Sequence, residues 1–121
     1  MDWASIEIID TLSYLRKDAL QREVTFTQGH LMHIPNDVIK EVCSLITQKT
    51  KRYILLYEAY LNEKGIGLIK KLKYKTYRFD RDYEEMFTGG FVLEEKHVFS
   101  HPTKKVIRYG RYFFKRINSL A

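Results

Sequence analysis

Lys71, Lys73 and Lys75 are spaced two apart, with Lys70 before them and Tyr77 and Arg78 after them. On an extended strand, residues two apart share a face, so three lysines and Tyr77 would turn the same way. Near the C-terminus, Arg108 is in register with Tyr112 and Phe114, Arg111 and Lys115 are in register with Tyr109 and Phe113, and no acidic residue follows Glu95. Spaced cations can follow phosphates while exposed rings stack bases. The candidate nucleic-acid-binding set is therefore Lys70, Lys71, Lys73, Lys75, Tyr77, Arg78, Arg108, Tyr109, Arg111 and Tyr112, with DNA or RNA as the partner. The competing reading is structural: lysines protect strand edges from aggregation, and Tyr and Phe favour strands.

A second set is Asp80 or Asp82 followed by Glu94 and Lys96. Two carboxylates can hold a divalent metal while a lysine polarises the attacking water, as in metal-dependent nucleases. The ordinary alternative is a salt-bridged, solvent-facing strand. Four histidines fall in two pairs, His30 with His33 and His97 with His101, and neither spacing is that of a helical zinc pair. Cys43 is the single cysteine. It excludes an internal disulfide and a cysteine zinc site, and it sits on the apolar side of a predicted helix. Gly65-Ile66-Gly67 lacks the rest of any nucleotide-binding fingerprint. No catalytic residue, metal or cofactor is assigned. Tyr83, Met86 and Phe87 stand within the acidic stretch Asp80 to Glu85 and its neighbours, as an apolar loop tip suited to protein contact, unless they fold back under the sheet.

These groups must be carried by regular elements. Ile8, Leu12, Leu15 and Ala19 recur at helical spacing, predicting an amphipathic helix over 3–21. From Glu23 the period becomes two, and Gln28-Gly29 reads as the turn of a short hairpin that returns through Leu31 to Ile34. Pro35-Asn36-Asp37 then opens a second helix over about 37–50, with Val38, Val42, Leu45 and Ile46 on its apolar face. Tyr53 to Tyr57 is read as a strand, with helix continuation as the alternative. Asn62 to Gly65 is a turn, 66–79 a long strand, 80–90 a loop and 91–100 a strand. His101-Pro102-Thr103 turns the chain into a last strand over 104–117.

The expectation is a single α+β domain over 1–121, with two helices packed on an antiparallel sheet, a short N-terminal hairpin and a C-terminal meander of three to four strands. Its 121 residues, 45% hydrophobic, suffice for one core. The net charge of +6 is unevenly placed: residues 1–50 carry 5 basic and 7 acidic side chains, residues 51–121 carry 16 and 8. Such a basic region attracts polyanions. The expected function is a non-enzymatic nucleic-acid-binding or nucleic-acid-associated accessory protein. Its alternatives are a protein-interaction module or homodimeric regulatory factor, whose partner is a protein or a second copy, and a metal-dependent nuclease. No secretory leader or apolar segment of membrane-spanning length is read, so the expected location is the cytoplasm, with no membrane partner.

Overall fold

In the computed structural model, residues 22–73 and 77–117 are described. The expected first helix lies outside them. The described elements are β1 (Arg22–Gln28), a short 3-10 turn (Leu31–His33), α1 (Ile39–Lys49), β2 (Thr50–Tyr60), β3 (Ile69–Lys71), β4 (Tyr77–Phe79), β5 (Phe91–Ser100) and β6 (Arg108–Arg116). They form a four-stranded sheet in the order β1-β2-β6-β5 and a separate two-stranded ribbon of β3 and β4.

The sheet is mixed, and this corrects the expected architecture of two helices on an antiparallel sheet. β1 pairs with β2 in parallel, Phe26 opposite Leu55 and Gln28 opposite Tyr57. α1 is the crossover between them, as a parallel pair requires. Among the described residues it is the one α-helix. The hairpin expected at Gln28-Gly29 does not form. Gly29, at φ +61°, donates its N–H to Tyr57 O at 2.8 Å and turns the chain off the sheet instead of back along β1. Leu31 then enters the core at 0% exposure, which a return strand would have prevented.

α1 begins close to where its apolar spacing placed it, with Ile39, Val42, Cys43 and Ile46 buried. Its start is closed by Pro35 O, which accepts the N–H groups of Val38 and Ile39 at 3.1 and 3.0 Å. No side chain caps it. β2 follows at once. Ile54, Leu56 and Glu58 face α1, while Tyr53, Leu55 and Tyr57 occupy the opposite face and are half-buried. Tyr53 and Tyr57 pack against the neighbouring-strand rings of Phe113 and Tyr109, so Tyr53 to Tyr57 lacks an apolar-polar alternation.

The long strand expected over 66–79 is instead two three-residue strands paired antiparallel, Ile69 opposite Phe79 and Lys71 opposite Tyr77. Phe79 is drawn into the interior and the chain must double back to deliver it. Gly67 lies where it passes Asp80; a Cβ there would sit 3.1 Å from Asp80 O. The meander is also not sequential. β6 lies between β2 and β5 and is antiparallel to both.

One core joins the helix face of the sheet to α1 and the 80–90 loop: Leu31, Val42, Cys43, Ile46, Ile54, Leu56, Tyr83, Phe87, Tyr112 and Phe114. Asp82 ties that loop to the sheet. Its carboxylate accepts from Lys96 Nζ at 2.8 Å, Tyr60 OH at 3.2 Å, Tyr112 OH at 3.0 Å and Glu84 N–H at 3.0 Å. Gly110 makes this geometry possible, because a Cβ there would lie 2.8 Å from the Tyr112 ring. No helix among the described residues is long and apolar enough to cross a membrane.

Two predictions follow from this packing. Ile54→Ala, which empties a site with 0% exposure, is expected to lower unfolding free energy by about 2–5 kcal/mol, read as a lower urea midpoint at unchanged slope. Burial opposes the charge of Asp82, but its hydrogen bonds from Lys96, the Glu84 amide and Tyr112 prevail and hold the carboxyl below its ordinary 3.8. Its contribution is therefore present above that value and lost as pH falls through the lower folded one. Thermal melts between pH 6 and pH 2 should show Asp82→Asn less stable at pH 6 and converging on the parent as pH falls.

Candidate functional site

In open sheets containing parallel strands, ligands bind in the crevice beyond the carboxyl ends of those strands. Here β1 and β2 end at Gln28 and Tyr60, beside Arg108 at the start of β6, which pairs with both Tyr60 and Ser100. Two segments leave this edge: residues 29–38, leading to α1, and residues 61–68, leading to the β3–β4 ribbon.

The first segment is held from both sides by buried charges. Glu58, 1% exposed, accepts the backbone N–H groups of His30 at 3.2 Å and Met32 at 3.0 Å. Arg81, 7% exposed, donates to Leu31 O at 2.9 Å, to Ile34 O, and to Asn36 Oδ1 at 2.9 and 3.1 Å. Burial raises the Glu58 carboxyl above its ordinary value, against the hydrogen bonds that favour its charge. Burial likewise lowers His30 below 6.5, against the pull of Glu58. His30 is thus a neutral imidazole at neutral pH.

The ribbon packs against the same segment, with His33 Nδ1 2.8 Å from Tyr77 O. The ribbon and its approach leave Ile66, Leu68, Ile69 and Tyr77 exposed. The carboxyl edge therefore carries a backbone turn held by buried side chains, the imidazoles of His30 and His33 and the Gln28 amide, and the ribbon that bears these apolar residues meets it at Tyr77.

The residues singled out from the sequence are divided by the structure. Lys70 and Lys71 lie exposed on β3, opposite Arg78 and Tyr77, and Lys73 follows in a turn. Lys75 lies outside the described residues. Arg78 is engaged by Asp80 at 2.8 Å, and Arg108 stacks on Tyr60 at 5.3 Å. Arg111 points to the opposite face of the main sheet, beside Leu55, Glu95, His97 and Phe113. Tyr109 stacks on Tyr57 at 5.8 Å, and Tyr112 is buried. The cations thus lie on two separate sheets, and in the main sheet on opposite faces. Tyr83 and Phe87 are fully buried and Met86 partly so, which places them under the sheet and not at a loop tip.

The nuclease set does not assemble either. Lys96 is bound to Asp82 and, at 3.3 Å, to Glu84; Asp80 is taken by Arg78. No group of three or more His, Cys, Asp or Glu among the described residues is placed to hold a metal ion. His101 Nδ1 instead accepts the amides of Thr103 and Lys104 at 3.2 and 3.1 Å, closing the β5–β6 turn. Burial raises the Cys43 thiol to about 12, so it is no nucleophile.

Sequence reasoning missed Glu58, Arg81 and the 29–36 turn. A glutamate directly after the apolar strand run Tyr53 to Tyr57, and an arginine between two aspartates next to Tyr83, were the available signals.

No family profile and no curated protein matches the sequence. Solved structures do share its fold. One is the Burkholderia thailandensis 1,6-didemethyltoxoflavin-N1-methyltransferase, crystallised with 1,6-didemethyltoxoflavin and S-adenosylhomocysteine. It superposes at a TM-score of 0.66 and 12% sequence identity, over 86% of this chain and 48% of that one. At that identity the likeness shows the fold alone, and the chain spans about half the length of the enzyme it matches. The finding corrects the expectation of a non-enzymatic nucleic-acid-binding accessory protein: the fold this chain shares is that of part of a small-molecule methyltransferase.

Proposed function

We propose that this chain forms the acceptor-binding half of a methyltransferase-type fold, taking a small planar nitrogen heterocycle at the carboxyl edge of its sheet. The observation that carries the reading is the parallel β1-α1-β2 unit whose exit segment is immobilised by Glu58 and Arg81. It supplies a fixed turn at the place where such sheets bind ligands. The apolar lip of Ile66, Leu68, Ile69 and Tyr77 offers stacking area, and the polar groups of the turn offer orientation.

The bound S-adenosylhomocysteine of the Burkholderia enzyme is the residue left when a sulfonium donor gives up its methyl group, so the fold implies such a donor. The described residues do not fit one. A nucleoside cofactor in a doubly wound fold is held by a glycine-rich strand-to-helix turn and by a carboxylate for the ribose hydroxyls. Here the β1-to-α1 connection holds the single Gly29, Glu58 is committed to backbone amides, and Asp80 and Asp82 are committed to Arg78 and Lys96. What these residues do is bind and orient the acceptor, and keep water from one side of it.

The test is a titration of the full 15N-labelled chain with 1,6-didemethyltoxoflavin and, separately, with S-adenosylhomocysteine. The heterocycle is expected to shift amide signals within 28–34, 60–73 and 77–79 in a saturable way. S-adenosylhomocysteine is expected to shift none below millimolar concentration. Heterocycle-induced shifts confined to other residues, or none at all, would overturn the reading.

A further inference from the structure

Among the groups at the carboxyl edge, His33 differs in being both anchored and open. Its backbone is fixed by the turn: His33 N–H donates to His30 O at 3.1 Å, and Ile34 N–H donates to Leu31 O at 3.0 Å. Leu31 is wholly buried beneath it, with Glu58 and Arg81 gripping the turn on either side. The His33 side chain is exposed. It still makes one definite contact, Nδ1 to the carbonyl oxygen of Tyr77 at 2.8 Å.

That contact decides the ring's chemistry. A carbonyl oxygen only accepts, so in the neutral ring the proton sits on Nδ1 and Nε2 keeps its lone pair. The structure therefore presents, on a rigid turn, an imidazole acceptor whose tautomer is chosen by the ribbon. Ile69 and Tyr77, 62% and 46% exposed, belong to that ribbon. A ligand matched to these features is flat, apolar on its faces and a hydrogen-bond donor at its edge.

We propose that Nε2 of His33 receives the ring N–H of the bound heterocycle and so selects the unmethylated, N–H-bearing form over its N-methylated counterpart. The inference rests on the acceptor-binding role argued above and adds the group that would discriminate. A methyl in place of that hydrogen removes the donor and leaves a bulky group facing a lone pair, a loss that hydrogen-bonding sites penalise heavily.

Long-range 1H–15N correlation through the imidazole rings of the full chain reads the tautomer directly. His33 is expected to carry its proton on Nδ1 in the free protein, and its Nε2 signal is expected to move when the same heterocycle is added. His33→Phe should weaken that binding about tenfold, and His33→Gln, whose side-chain oxygen can take the place of Nε2, should recover most of it. A proton found on Nε2, or equal affinity in wild type and His33→Phe, overturns the proposal while wild-type binding leaves the acceptor site standing. Absence of binding to the wild type removes both. The tautomer measurement needs no variant, so a misfolded His33→Phe cannot shield the proposal.

Discussion

The fold turns on two buried side chains of opposite charge that share one stretch of backbone. Glu58 takes N–H groups of residues 30 and 32, and Arg81 supplies donors to the carbonyls of 31 and 34. A non-repetitive segment normally stays at the surface because its peptide groups need water. Here the protein replaces that water with a carboxylate and a guanidinium. Removal of either would leave a buried charge and several buried peptide groups without partners, which is far more disruptive than the net worth of the interactions suggests. Because the segment is pinned, Leu31 can reach the core while His33 stays at the rim.

A second polar group works in the same way at the start of the 80–90 loop. Asp82 collects two phenols, an ammonium and an amide, and Tyr112 reaches it only because position 110 is glycine. The stretch that reads as an acidic surface loop is therefore a strap, with Tyr83 and Phe87 as its buried studs. Arg81 and Asp82 are adjacent in sequence, so two neighbouring residues fasten the strap to both the carboxyl-edge turn and the outer hairpin.

Local patterns were readable from the residues themselves. The apolar spacing of Val38, Val42 and Ile46 marks α1, the β-branched and aromatic run at Tyr53 marks β2, and His101-Pro102 marks the β5–β6 turn. Pairing was not readable, because the direction of β1 depends on a choice at Gly29 that alternation alone cannot express: both a hairpin and a departure from the sheet accept a glycine at positive φ. The site was hidden for a related reason. Charged residues advertise themselves as surface, and neither the apolar run before Glu58 nor the aspartates flanking Arg81 says which peptide groups those side chains serve. The lysine alternation over 70–75 pointed to an extended face, but the burial of Phe79 breaks that stretch into a ribbon, and burial is a property of the whole molecule.

The placement of β6 bears on how the chain can come together during synthesis. β2 and β5 do not pair with each other; each is paired with β6, which is made after both. Until residues 108–116 leave the ribosome, the β1-α1-β2 unit and β5 are separate pieces with a vacant slot between them. Tyr112 and Phe114, which complete the core, arrive with the strand that fills it. Closure of the sheet is thus a late, long-range event, and the half-built protein must wait for it with its central strand edge open to any other extended chain nearby.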